Sequence, residues 1–150
     1  MAKIHVYLNF NGNCEEAFQF YGNVFNTTHT GIMRYGDMPS DPEMPSLTEQ
    51  DKNKVLHMAI KLNDNTMLMG SDISEVFGQS LSHGNSTYIT LTTESAEETK
   101  TLFDALKQDA QLIEMDLGET FFAELFGSLQ DKYGIYWMID YEGNKRMNNY

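Results

Sequence analysis

Two amphipathic segments, opened in the same way 82 residues apart in a chain of 150, leave few folds open to it. Asn13-Cys14-Glu15-Glu16 precedes one segment and Ser95-Ala96-Glu97-Glu98 the other. Each quartet sets a side-chain acceptor first and a glutamate three places on, the capping-box spacing of a helix start. Ala17, Phe18, Tyr21, Val24 and Phe25 then recur at three- and four-residue steps, and so do Thr99, Leu102, Phe103 and Leu106. Each set makes one apolar helical stripe. A duplicated strand–helix–strand unit predicts two matching modules, with a ligand groove where the halves meet.

The runs between these helices are strand-like. Ile4–Phe10, Thr27–Tyr35, Val55–Leu62 and Thr66–Gly70 are rich in β-branched, aromatic and other apolar residues, and Asn63-Asp64-Asn65 turns the last two as a hairpin. Ser86–Thr92, Gln111–Leu117, Phe121–Leu129 and Ile135–Tyr141 repeat the series after the polar connection Ser74–Gly84. Each half therefore reads β-α-β-β-β. The expected fold is α+β, with an N-terminal module over about 1–73 and a C-terminal module over about 85–141. Gly36–Asn53 holds all three prolines and reads as a long loop or lid, and the polar tail from Glu142 to Tyr150 reads as frayed.

Composition excludes several classes. Hydrophobic residues make up 41% of the chain, enough for a core. A net charge of −12 opposes nucleic-acid binding and attachment to anionic membranes. The single cysteine, Cys14, permits no internal disulfide and no cysteine-based zinc site. No signal peptide and no span of ~20 apolar residues is visible, so a cytoplasmic location is expected. No phosphate loop, nucleotide fingerprint or nucleophile–base set can be read. Cys14, at a helix N-terminus, is a candidate for a lowered thiol pKa, but no base accompanies it and a structural role is expected.

Tyr7-Leu8-Asn9-Phe10-Asn11-Gly12-Asn13-Cys14-Glu15-Glu16-Ala17-Phe18-Gln19-Phe20-Tyr21 and Phe122-Ala123-Glu124-Leu125-Phe126-Gly127, followed by Asp131-Lys132-Tyr133-Gly134-Ile135-Tyr136-Trp137, carry a family resemblance. The chain resembles PhnB-like proteins of the glyoxalase / bleomycin-resistance / dioxygenase superfamily, also called vicinal oxygen chelate. Phe122 and Lys132-Tyr133 depart from the usual Trp and Pro-Phe. The resemblance implies tandem βαβββ modules that form a half-open mixed β-barrel cleft with flanking helices, and it implies a homodimer. It does not select among isomerases, dioxygenases, lyases and drug-binding resistance proteins.

The resemblance also implies four metal-ligand positions, which fall at His5, Met69, Tyr88 and Met138. Thioether sulfur and a protonated phenol are poor ligands for the hard or borderline ions of this chemistry. His57, on the adjacent strand, does not complete a set. No metal and no cofactor are expected, and binding is favoured over catalysis. The expected ligand pocket is His5, Tyr7, His57, Met69, Tyr88, Met138 and Phe122, adaptable because methionine is flexible and polarizable. Phe121, Phe122 and Phe126 are candidates for stacking on a ligand. Trp137 alternates with Met138 and is expected beneath a helix. His29 and His83 read as solvated, and Glu114, Asp116, Glu119 and Glu124 as a solvated acidic face. The partner expected is a small organic molecule, which the acidic charge would favour as a cation. The alternatives are a metal-dependent lyase, isomerase or dioxygenase, and a non-catalytic structural dimer.

Overall fold

The computed structural model describes residues 1–145. The chain forms two compact units, Met1–Ser82 and His83–Tyr150. In the first, β1 (Val6–Phe10), α1 (Cys14–Val24), β2 (His29–Arg34), α2 (Glu49–Asn53), β3 (Val55–Lys61) and β4 (Met67–Asp72) follow in order. The sheet order is β1-β4-β3-β2, with β1 and β4 parallel and the other pairs antiparallel. The second unit runs β5 (Ile89–Thr92), α3 (Ala96–Lys107), β6 (Leu112–Gly118), β7 (Leu125–Gln130) and β8 (Tyr136–Tyr141). Its order, β5-β8-β7-β6, repeats the first, again with the outer β5–β8 pair parallel.

In each unit the helix covers one sheet face. Leu8, Phe10, Met58, Ile60 and Leu68 are buried with Phe18 and Tyr21 of α1. Leu129, Trp137 and Ile139 are buried with Phe103 and Leu106 of α3. Each such large apolar side chain contributes about 1.5–3 kcal/mol on leaving water. Both helices close on a glycine. A Cβ on Gly70 would come within 2.6 Å of the Phe18 ring, and one on Gly127 within 2.6 Å of the Phe103 ring. Trp137 is fully buried, and its indole N–H donates to Asp131 Oδ2 at 2.8 Å.

One of the two helix starts differs from the sequence expectation. Ser95 does cap α3, accepting from the Glu98 amide at 3.1 Å, while Glu98 reaches the Glu94 amide at 3.2 Å. Asn13 makes no capping bond. Its place is taken by Asp72 at the end of β4, whose Oδ1 accepts from the Gly12 and Cys14 amides at 2.9 Å each. A carboxylate from a distant strand has displaced the local cap. α1 ends with Asn26 at φ 50, and the Thr27 amide bonds Gly22 O at 2.8 Å, the Schellman closure with asparagine in the left-handed position.

Other boundaries shift too. The long loop contains α2, started by a reciprocal Thr48–Asp51 capping box at 3.1 and 3.3 Å. Phe121–Ala123 is a turn, because Thr120 Oγ1 accepts from the amides of Phe122 and Ala123 at 3.3 and 3.0 Å, and β7 begins only at Leu125. The expected frayed tail is ordered as far as described. Gly143–Lys145 forms a 3-10 turn, and Lys145 Nζ reaches Glu119 and, at 2.9 Å, Thr120 O. Residues 146–150 of that tail lie outside the described residues.

Candidate functional site

Strand alternation sends every second side chain to the face opposite the helix. In the first unit one cross-strand row on that face is Tyr7, Met69 and Ala59. His57, paired with Met33, lies one step along. Tyr7 Oη and His57 Nδ1 are 3.4 Å apart, with ring centroids at 5.8 Å. His5 is exposed, and its Nδ1 accepts the Met67 amide at 3.0 Å. The imidazole thus serves as a terminal cap to β4, with Nδ1 occupied and the proton on Nε2 in the neutral ring.

In the second unit the corresponding rows are Thr90–Met138–Ser128 and Thr92–Asp140–Phe126. Here the surface is hollowed. A cavity of about 460 Å³ is lined by Thr90 and Thr92 of β5, Met138 and Asp140 of β8, Phe126 of β7, and Phe122 and Glu142 from the adjoining turns. Phe122 and Phe126 meet edge to face at 5.2 Å and form an aromatic wall. Among the described residues, none of the lining is basic. Asp140 is 7% exposed and accepts from Thr92 Oγ1 at 2.9 Å. Burial holds its carboxyl above the usual carboxylate range, Glu142 pushes the same way, and the Thr92 bond opposes both.

Met138 and Phe122 therefore share one cavity, while His5, Tyr7, His57 and Met69 lie in the first unit. Tyr88 does not line the cavity. Its hydroxyl donates to Glu114 Oε2 at 2.8 Å, and that bond raises the phenol pKa. Phe126 lies in the wall, and Phe121 is 84% exposed. Asp140, Thr90, Thr92 and Glu142 were missed in the sequence, although a step of two from Met138 along β8 leads to Asp140. The acidic residues are dispersed into separate contacts: Glu114 with Tyr88, Asp116 with Lys107, Glu119 with Lys145. Cys14 is buried and its thiol is pushed up, first by burial, then by Asp72 and Glu15, the reverse of helix-terminus activation.

The residues do not fit a metal of the kind this superfamily uses. Among the described residues no three His, Cys, Asp or Glu side chains are grouped to hold one. His5 has one ring nitrogen engaged, and Met69, Tyr88 and Met138 bring soft or protonated donors.

Two helix-backed four-stranded sheets of identical order define an α+β protein with the glyoxalase / bleomycin-resistance fold. Solved structures named as a possible glyoxalase from Bacillus cereus and as fosfomycin resistance protein FosX from Listeria monocytogenes share it at TM-scores of 0.57 and 0.64, with identities of 16% and 11% that show the fold alone. Residues 2–140 match the family model described as 3-demethylubiquinone-9 3-methyltransferase, and the chain belongs to that family, the PhnB-like members of the superfamily. It is 30% identical over 143 residues to Protein YjdN of Escherichia coli (strain K12), covering 89% of this chain and 91% of that one. Protein PA1353 from Pseudomonas aeruginosa is 31% identical with a TM-score of 0.80, over 95% of this chain and 98% of that one. A PhnB protein from Bacillus cereus, described as a putative 3-demethylubiquinone-9 3-methyltransferase, is 30% identical with a TM-score of 0.72, over 93% and 99%.

Proposed function

We propose that the second module binds a small organic molecule in the cavity walled by Phe122, Phe126 and Met138, and does so without a catalytic metal. The observation that carries this is the cavity itself. Its volume of about 460 Å³ lies within the range of roughly 300–1,000 Å³ typical of single-ligand sites. An apolar wall faces a few placed polar groups, which is how such sites combine affinity with orientation. A net charge of −12 and the absence of basic side chains among the described lining residues support a ligand that carries positive charge. A second copy of the chain is the protein partner we expect, and light scattering of the purified protein tests it. Among the described residues no helix is long and apolar enough to cross a membrane.

The test of binding is thermal. A ligand at a hundred times its Kd stabilises the folded state by ~2.7 kcal/mol. Screening small aromatic and aliphatic compounds should raise Tm for the wild type and not for Phe126→Ala. Identical shifts in the variant, or none in the wild type, would remove the cavity from consideration.

A further inference from the structure

Three aspartates of this chain are buried, and they are not equally served. Asp72, 2% exposed, receives the Gly12 and Cys14 amides on Oδ1 and the Val55 amide on Oδ2 at 2.9 Å. Asp131, fully buried, receives the Tyr133 and Ile135 amides on Oδ1 at 2.8 and 3.0 Å and the Trp137 indole on Oδ2 at 2.8 Å. Each of these has both oxygens bonded by donors of its own module. Asp140 is 7% exposed and, among the described residues, its side chain accepts only from Thr92, on Oδ1. Its second oxygen has no donor among the described residues and is open to the cavity that the residue lines. The fold bonds one oxygen of this carboxylate and leaves the other, at the cavity, for a ligand to meet.

We propose that Asp140 is the specificity determinant of the cavity, selecting a ligand that presents an ammonium N–H beside an apolar body. The inference rests on the binding reading above and names its ligand class: primary to tertiary organic amines. The side chains around Asp140 agree. Thr90 and Thr92 of β5 are neutral, Phe126 and Phe122 are aromatic, Met138 is a thioether, and Glu142 is the other charged group of the lining. Among the described residues no lysine or arginine of the lining competes for the Asp140 carboxylate. A charge-assisted N⁺–H bond to the free oxygen would complete the set that backbone amides and an indole complete at Asp72 and Asp131. The aromatic pair would take the ligand's hydrocarbon, or the cation's edge.

Three probes of one shape separate the parts of this proposal: benzylamine, benzyl alcohol and benzyltrimethylammonium, titrated calorimetrically into the full chain at pH 7. Benzylamine should bind about tenfold or more tightly than benzyl alcohol, the ratio a charged hydrogen bond gives. Asp140→Asn should reduce that ratio to about one while leaving the alcohol's affinity within about twofold, as for removal of a single charged contact. Benzylamine affinity should rise from pH 4 to pH 7 with proton release, because a bound cation favours the ionised carboxylate, and benzyl alcohol should show no such slope. Unchanged near-ultraviolet dichroism of Trp137 would show that the variant is folded. Equal affinities for amine and alcohol, or an Asp140→Asn variant that keeps the amine, would overturn the proposal and leave the cavity reading standing. Benzyltrimethylammonium binding as tightly as benzylamine would overturn the N–H requirement. If none of the three binds and no apolar compound raises Tm, the cavity reading fails, and this inference with it.

Discussion

The two modules share one strand order and one helix position, yet the buried carboxylates near the ends of β4 and β8 are used in opposite ways. In the first, Asp72 sits at the end of β4 and gathers amides from the β1–α1 turn and from the start of β3. One side chain ties three segments, so the helix start needs no help from Asn13. In the second, α3 is capped locally by Ser95, and the acid near the end of β8, Asp140, is left with a single donor beside a hollow. A saturated carboxylate is architecture, and an unsaturated one at a cavity is a binding group. The difference teaches that one frame can carry two kinds of chemistry.

That contrast is breakable. The largest effect should come from Asp72→Ala. It leaves three amides without their acceptor, two of them in buried bonds, and should cost about 3–5 kcal/mol, read from urea denaturation. A loss below about 1 kcal/mol, the worth of one ordinary bond, would show that the clamp is incidental. Next come Gly70→Ala and Gly127→Ala, which drive a methyl against the Phe18 and Phe103 rings. Each should lose about 1–3 kcal/mol by overpacking, and similar values would show that both helices sit equally close. The capping comparison is smaller and sharper. Ser95→Ala should lose about 1 kcal/mol, whereas Asn13→Ala should change stability by no more than a few tenths. Equal losses would mean that Asn13 caps α1 after all.

The smallest effect is one of pH. The carboxyl of Asp140 is held above its usual range in the fold, so the folded protein binds that proton more tightly than the unfolded chain. The resulting penalty is absent below the unfolded carboxylate range and is complete once pH exceeds the folded value. Asp140→Asn should therefore stabilise the ligand-free protein slightly at pH 7 and make no difference at pH 3. Tm curves across that interval would check it, and a gain at pH 3 as large as at pH 7 would contradict the sign.

Element order and the buried helical stripes were legible because period and spacing are local signals. Phe18, Tyr21, Phe103 and Leu106 announce their faces without reference to the rest of the chain. Asp72 as a cap was not legible, since its partners lie 58 to 60 residues away and a nearer acceptor, Asn13, stood in the expected place. At the candidate site, Met138 and Phe122 could be read from strand position and motif. Asp140 lies two residues from Met138, outside the four metal-ligand positions that the family resemblance implies. Alternation along Leu68, Gly70 and Asp72, and along Met138 and Asp140, already placed both acids on defined faces. What alternation cannot give is how many donors wait there. The turn at Phe121–Ala123 escaped for a related reason: a threonine hydroxyl outcompeted strand pairing in a run of β-favouring residues.

The extra length of the first module has a consequence of its own. His5 to Met69 spans 64 residues and Tyr88 to Met138 spans 50, so the first module carries 14 more. The stretch from Gly36 to Asn53 accounts for them, and it is stitched at its neck. Arg34 reaches Asn53 O at 2.9 Å and Glu15 at 3.0 Å, the Tyr35 amide bonds Lys54 O at 3.0 Å, and the Tyr35 hydroxyl bonds Asp72 O at 2.8 Å. A loop closed at its base is insulated from the sheet, because its ends are fixed whatever lies between them. Doubling such a loop costs only about 0.6 kcal/mol in closure entropy. The segment is therefore a natural splice point, where a peptide tag or a fluorophore could be carried without disturbing either module.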